Sequence, residues 1–141
     1  MESIAQREAA ILEDFSFFDD WMDKYEHLIA LGKELSPMSE EQKVEENQIK
    51  GCQSQVWLCA REEEGRVFFD ADADAIITRG MIALLLRPVQ GQAPVDIASY
   101  EFGFLDPLGL TAHLSPTRAN GLLSMVKQIR LYGVAFQAKR G

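Results

Sequence analysis

The chain is poor in the residues that build most catalytic and metal sites. Its 141 residues include only two cysteines and two histidines. The cysteines are Cys52 and Cys59, and the six residues between them are too many for the short spacing of zinc and redox motifs. A disulfide between them is also disfavoured, because Cys59 falls on a predicted strand beyond the Cys52 loop, about 13 Å away. We therefore expect two free thiols and no metal site.

Basic residues are in the minority as well. The chain has 14 lysines and arginines against 22 aspartates and glutamates, which gives a net charge of −8 at pH 7. Binding to a phosphate backbone requires a basic surface, so this composition argues against nucleic acid as a partner. An acidic surface suits a basic protein partner, although it also simply keeps a protein soluble.

Long apolar runs are missing too. The longest covers residues 81–86, six residues in all, whereas a helix needs about 20 to cross a bilayer. The first residues lack the basic start and apolar block of a secretory signal. We therefore expect a soluble cytoplasmic protein that does not bind membranes.

The remaining pattern is that of one mixed domain, which we assign to residues 1–141. Hydrophobic residues make up 47% of the chain, enough to bury a core. The pattern predicts helices over residues 4–14 and 20–32, a hairpin with strands 55–61 and 66–69, and further helices starting near residues 75, 94 and 116. A third short strand is expected but has no obvious place. The predicted fold class is α+β, with a small antiparallel sheet of about three strands flanked by helices.

Several helix boundaries are marked by capping and breaking residues. Asp19 or Asp20 can cap the second helix, and Gly32 is a natural stop signal for it. Ser115-Pro116 predicts the start of the last helix, because serine caps well and proline suits the first helical position.

Three aspartates on alternate positions invite a metal hypothesis. Asp70, Asp72 and Asp74 lack the glycine and glutamate of a calcium-binding loop and have no histidine partner. Asp74 or Asp72 is better interpreted as the cap of the helix that follows.

Cys52 is the residue most suggestive of chemistry. It follows Gly51, which allows a sharp turn or a hinge, and a predicted strand begins just downstream. Lys50 is a cation close enough to favour the thiolate, whereas burial of the thiol acts in the opposite direction. We expect burial to outweigh the exposed lysine, which water and salt screen. Cys59, by contrast, is expected to be a small apolar filler of the sheet.

A cysteine hydrolase would need a base beside Cys52. The chain offers only His27 and His113, and nothing in the sequence brings either of them to the cysteine. Arg118, in the first turn of the last helix, opposes the helix dipole, which indicates a specific contact or a solvated side chain.

Four segments, in order and with near-matching spacing, resemble the SufE family of sulfur-acceptor proteins, which includes CsdE. The resemblance spans nearly the whole chain. The segments are residues 20–25 with 28–32, residues 51–57 (Gly-Cys-Gln-Ser-Gln-Val-Trp), residues 72–77 with 79–80, and residues 113–118 with 121–122. Cys59 is not part of the family motif.

The resemblance implies a sulfur relay in which Cys52 matches the sulfur-carrying cysteine. In this family a SufS- or CsdA-like cysteine desulfurase, which uses pyridoxal phosphate, forms a persulfide and passes the sulfur on. The acceptor stimulates the desulfurase and delivers sulfur to a SufBCD-like scaffold for iron–sulfur clusters, without a cofactor of its own. The implied fold is a small antiparallel sheet flanked by helices, similar to that of the scaffold protein IscU.

The same resemblance assigns a set of supporting residues and leaves alternatives open. The residues expected to shape the loop or bind the partner are Gly51, Gln53, Ser54, Asp74 and Arg118. One alternative is a CsdE-like relay to another pathway such as tRNA modification. Another is a binding module that activates a desulfurase without carrying sulfur, although an intact cysteine at position 52 favours transfer.

Overall fold

The computed structural model describes residues 2–52 and 54–140. The described part is an α+β fold in which a hairpin lies among helices, as the sequence predicts. The elements are α1 (Ile4–Ser16), α2 (Trp21–Glu34), a 3₁₀ turn (Glu45–Asn47), β1 (Val56–Glu63), β2 (Arg66–Ala73), α3 (Ile76–Leu86), α4 (Pro94–Ser99), α5 (Leu105–Leu108), α6 (Leu110–His113) and α7 (Pro116–Arg140). In the described residues no helix is both long and apolar enough to cross a membrane.

The sheet consists of β1 and β2 paired antiparallel, from Val56 opposite Ala73 to Glu63 opposite Arg66. The expectation of about three strands is therefore wrong within the described residues. In the described residues the hairpin is extended by one isolated β-bridge on each side, Gln48 with Trp57 and Val67 with Gln92. The bridge between Val67 and Gln92 does not lengthen into a strand, because Pro94 has no N–H to donate and begins α4.

The central helix α3 forms the middle of the core. All seven residues from Gly80 to Leu86 are buried, which fits a helix that is apolar around most of its circumference. Helix α7 closes one side of the core with the buried residues Leu122, Met125 and Ile129.

Helices α2 and α3 approach each other at two glycines. A Cβ on Gly80 would overlap the carbonyl oxygen of Leu28, and one on Gly32 would lie 2.8 Å from the backbone nitrogen of Gly80. Gly80 is therefore a point of close packing between the two helices. The prediction of Gly32 as a stop signal is wrong, because α2 continues to Glu34 and needs a glycine at this position for contact with α3.

Two of the predicted caps are present and one is not. The Asp20 carboxylate accepts the N–H of Asp23, and the Ser115 hydroxyl accepts the N–H of Arg118 at 3.3 Å. Helix α3, however, is preceded by Ala75 without a side-chain cap, so neither Asp72 nor Asp74 plays that role.

Asp72 is instead the centre of a buried ionic network. Its side chain lies 3.2 Å from the Lys43 ammonium and 3.6 Å from the Arg79 guanidinium, and it accepts the N–H of Ala73 at 2.8 Å. Arg79 also donates to the carbonyl oxygen of Leu35. The network joins β2, α3 and the segment after α2. Such a carboxylate cannot turn to cap a helix without losing its contacts with both cations.

Candidate functional site

Cys52 lies on a loop that is held at its downstream end. The N–H of Ile49 donates to the carbonyl oxygen of Val56, which brings the chain before the loop against the start of β1. The Asp74 carboxylate accepts the N–H of Gln55, and the N–H of Asp74 donates to the carbonyl oxygen of Gln55. These hydrogen bonds fix the chain on both sides of Cys52, at Ile49 and at Gln55.

Gly51 provides the turn that directs Cys52 under α7. Its φ of 90° lies in the left-handed region, and a Cβ there would approach the Ser124 hydroxyl oxygen of α7 to 2.7 Å. The left-handed conformation favours glycine at this position. The sequence-based prediction of a turn at Gly51 is confirmed, whereas its contact with Ser124 is new.

The thiol of Cys52 packs against the backbone of α7. Its Sγ lies 3.7 Å from the carbonyl oxygen of Gly121, and a Cβ on Gly121 would lie 3.5 Å from the sulfur. Cys52 is half-buried and contacts the edge of the hydrophobic core. A glycine in this helical turn lets the loop lie close to the helix.

A pocket of about 350 Å³ opens beside the thiol. Of the predicted site residues, Cys52, Ser54, Asp74 and Arg118 all line it, although they come from three separate segments of the chain. Gly51 sets the path of the loop, and Gln53 lies outside the described residues. The other residues of the lining are Ala75, Thr78, Met81, Thr117, Gly121 and Met125.

The polar side chains of the pocket differ in how firmly they are held. Ser54 is fixed by a hydrogen bond of 2.9 Å between its hydroxyl and that of Thr78 on α3. Asp74 is fixed by the Gln55 amide. The exposed guanidinium of Arg118 has no hydrogen-bonded or ionic partner within residues 2–52 and 54–140. Arg118 is therefore the polar group of the pocket most able to contact another molecule.

Burial controls the acidity of the thiol. The apolar surroundings raise the pKa of Cys52 above that of a free cysteine. Lys50 does not offset this, because its exposed ammonium lies 3.7 Å from the Glu45 carboxylate. The expectation that burial outweighs Lys50 is confirmed, and the free protein holds Cys52 mainly as a thiol near neutral pH.

Neither histidine lines the Cys52 pocket. His27 packs against the rings of Phe15 and Phe18, with centroid distances of 5.0 and 5.1 Å. His113 stacks on Trp21 at 4.0 Å. Across the described residues there is also no cluster of three or more metal-ligating side chains. The hydrolase hypothesis therefore has no histidine base at the described site.

Cys59 lies on β1 and is a free thiol, as is Cys52. It occupies the partly exposed face of the hairpin rather than the core face, so its interpretation as an apolar filler is only partly right. The Gln42 amide nitrogen lies 3.4 Å from its sulfur. Burial and the negative charge of Asp70 raise the pKa of Cys59, so this thiol is also a weak nucleophile near neutral pH.

Three residues at this site were not predicted from the sequence. Thr78 holds Ser54, while Gly121 and Ser124 form the wall against which the loop rests. Two signals were available for Gly121, since it belongs to a segment that resembles the SufE family and it follows Arg118 by three residues, on the same side of a helix. Nothing local connects position 51 to position 124.

Comparison with known proteins identifies the family of this chain. Residues 9–132 match the family model of SufE, described as an Fe-S metabolism associated domain. A SufE-like protein of Rhizobium etli is 42% identical over 125 residues, which cover 85% of this chain and 84% of that protein. A SufE-like protein of Synechocystis is 38% identical over 129 residues, covering 92% and 81%.

A solved structure shares the fold. The solution structure of a hypothetical protein from Thermus thermophilus superposes with a TM-score of 0.75, covering 92% of this chain and 94% of that one, at 19% sequence identity. With the family model extending over most of the chain and two relatives above a third identity, this protein belongs to the SufE family.

Proposed function

We propose that this protein accepts sulfur on Cys52 from the persulfide of a cysteine desulfurase and delivers it for iron–sulfur cluster assembly. The observation that carries the proposal is the position of Cys52. Its thiol lies on a short loop between fixed points, at the edge of a pocket that can hold one more sulfur atom. Membership of a family associated with Fe–S metabolism supports the same conclusion.

The transfer is a displacement at sulfur. The Cys52 thiolate attacks the terminal sulfur of the desulfurase persulfide, a new S–S bond forms on Cys52, and the old S–S bond breaks. The desulfurase cysteine leaves as a thiolate, so no external oxidant or reductant is consumed. Such exchange needs a thiolate and an accessible sulfur but no separate acid or base. The lack of a histidine at the described pocket is therefore compatible with the proposal.

Because the pKa of Cys52 is raised, the loop must shelter the thiol in the free protein and expose it when the desulfurase docks. In the free protein the thiol is sheltered beside Gly121 and is protonated, which protects it and any bound sulfur from solvent reagents. Docking of the desulfurase moves the loop outwards and hydrates the sulfur, which restores the thiolate. Gly51 is the backbone position best able to absorb the change, because hinges are a few loop residues with large φ/ψ freedom.

The neighbouring polar residues contact the partner or hold the loop, and they take no part in forming or breaking the S–S bonds. Arg118, exposed and unpaired in the described residues, contacts the desulfurase surface. Ser54 and Asp74 hold the downstream end of the loop, and Gln53 keeps the role in shaping the loop or binding the partner that the family resemblance assigns to it. The chain needs no cofactor, since pyridoxal phosphate belongs to the desulfurase.

The partners follow from this role. A SufS- or CsdA-like cysteine desulfurase supplies the sulfur in the cytoplasm, and a SufBCD-like scaffold receives it. A CsdE-like relay to another pathway uses the same first step and differs only in the recipient.

A desulfurase assay separates the carrier from a mere activator. Sulfide release from free cysteine is measured with a purified desulfurase and a reductant, with and without this protein. We expect stimulation by the wild type and by Cys59→Ser but not by Cys52→Ser. Full stimulation by Cys52→Ser would instead favour the non-catalytic activator.

A further inference from the structure

The outer side of α7 carries a stripe of exposed apolar side chains. Leu123 is 51% exposed, Leu131 46% and Val134 49%. Their spacing of eight and three residues places them on one face of the helix. With Ala98 of α4 they line a groove of about 360 Å³, which we call the outer groove.

This concentration of apolar surface is unusual for the molecule. Single exposed apolar residues are normal, but contiguous ones mark interaction surfaces. Of the seven large apolar side chains that are exposed in the described residues, three belong to this stripe. Helices α4 and α7 approach each other closely at Gly133, where a Cβ would lie 2.7 Å from the backbone nitrogen of Ala98. This close approach brings Ala98 of α4 to the edge of the outer groove.

The charges that border the outer groove are both positive. Lys127 and Arg130 line it, and neither forms an ion pair within the described part of the chain. In a protein of net charge −8, two unpaired cations beside an apolar stripe stand out. Complementary charge on an occupant would therefore be negative.

The outer groove faces away from Cys52. Gly121 contacts the Cys52 sulfur, and Leu123 follows it by two residues. At 3.6 residues per turn this places Leu123 about 200° further around the helix. A partner in the outer groove therefore leaves the mouth of the Cys52 pocket free.

We propose that the outer groove binds an amphipathic helix of a protein partner, with apolar residues facing the stripe and acidic residues facing Lys127 and Arg130. The partner binds while the Cys52 face is free or engaged by another protein. A second copy of this chain fits poorly, because a twofold contact of the groove with itself would bring four cations together. An anionic membrane fits poorly with the net charge of −8.

The test uses two synthetic helical peptides with the same leucine stripe. In one the flanking positions are glutamate, and in the other they are lysine. Binding is measured by titration calorimetry at low salt. We expect the glutamate peptide to bind about tenfold more tightly than the lysine peptide, since two exposed ion pairs amount to that ratio.

Three variants locate the binding. The double substitution Lys127→Glu with Arg130→Glu is expected to reverse the peptide preference. Leu131→Ser is expected to lower the affinity for the glutamate peptide by about tenfold. Met22→Ser, which alters an exposed methionine on α2, is the matched control and leaves binding unchanged. All substitutions are at surface positions, and circular dichroism checks the fold of each variant.

Other outcomes overturn the proposal. Binding of neither peptide, or a preference for lysine in the wild type, contradicts the charge argument. Self-association in sedimentation velocity that Leu131→Ser abolishes would assign the groove to a second copy. Flotation with anionic vesicles that the charge reversal abolishes would assign it to a membrane. If the glutamate peptide slows alkylation of Cys52, the two faces are not independent.

Discussion

The sulfur of Cys52 lies 3.7 Å from the carbonyl oxygen of Gly121, so the first turns of α7 form the wall behind the proposed carrier thiol. In the same helix Ser124 lies beside Gly51, and Arg118 lines the pocket. One helix thus shelters the thiol and borders the surface on which a partner would dock. Its geometry leads to expectations about reactivity, stability and coupling.

Alkylation of Cys52 in the free protein should be slow near neutral pH. Burial raises the pKa of Cys52, so the thiolate fraction there is smaller than for an ordinary cysteine, and the rate should still be rising well above about pH 8.5. Iodoacetamide labelling followed by peptide mass spectrometry gives the rate as a function of pH. Addition of a desulfurase should accelerate labelling. A fast rate that the desulfurase does not change would mean a permanently open loop.

Gly51→Ala should expose the thiol. The methyl group would approach the Ser124 hydroxyl, which can rotate away, but the backbone is left with an unfavourable positive φ, so we expect the loop to leave its position beside α7. We expect a loss of about 1–2 kcal/mol in the free energy of unfolding and faster labelling of Cys52. Gly103→Ala is the control, because the nearest atom to its Cβ is the Glu8 carboxylate at 3.7 Å. Equal labelling rates in the two variants would contradict the role of Gly51.

Asp72→Asn should destabilise the protein in a pH-dependent way. Burial raises the pKa of Asp72, but hydrogen bonds from Ala73, Lys43 and Met38 and the charge of Arg79 together hold it below its ordinary value of 3.8. Because the folded pKa is depressed, the ionised carboxylate stabilises the fold above about pH 4. That stability is lost as the pH falls through the folded value.

Urea unfolding at several pH values measures the effect of this substitution. At neutral pH the variant should lose about 2 kcal/mol, less than for a fully buried pair because both cations are partly exposed. The difference from the wild type should shrink on acidification. Asp70→Asn, which breaks a more exposed pair with Arg61, should cost less than about 1 kcal/mol. An equal loss of unfolding free energy in the two variants would contradict the stabilising role of the Asp72 ion pairs.

Arg118→Ala should weaken coupling to the desulfurase without affecting the thiol itself. The guanidinium lines the pocket but has no partner in the described residues, so its loss leaves the fold intact. Stimulation of the desulfurase should then require more of the variant protein, whereas sulfur uptake by Cys52 from a small persulfide donor should stay unchanged. Loss of uptake from the small donor as well would give Arg118 a chemical role.

Local signals predicted the parts of the structure that depend on local physics. The Ser115-Pro116 start of α7, the Asp20 cap and the turn at Gly51 follow from residues that are neighbours in the sequence. Gly32 shows the limit, because a glycine that stops a helix and a glycine that lets two helices touch look the same in the sequence. Only the partner, Gly80, tells them apart.

The site shows the same division. The cysteine loop was recognisable, and Ser54, Asp74 and Arg118 were identified by resemblance and do meet at one pocket. The sequence pattern could not show that the described sheet has two strands, and it could not show that Asp72 pairs with Lys43 and Arg79. Both depend on contacts between distant segments, such as the single bridge at Gln92 and the ion pair with Lys43. Ser124 was missed for the same reason.

The most direct test of the central claim is the mass of the protein after incubation with a cysteine desulfurase and free cysteine. The account predicts that the wild type and Cys59→Ser each gain one sulfur atom, which peptide mapping places on Cys52 in both, and that Cys52→Ser gains none. A Cys52→Ser protein that still carries the added sulfur on Cys59 would contradict the assignment of Cys52 as the sulfur carrier.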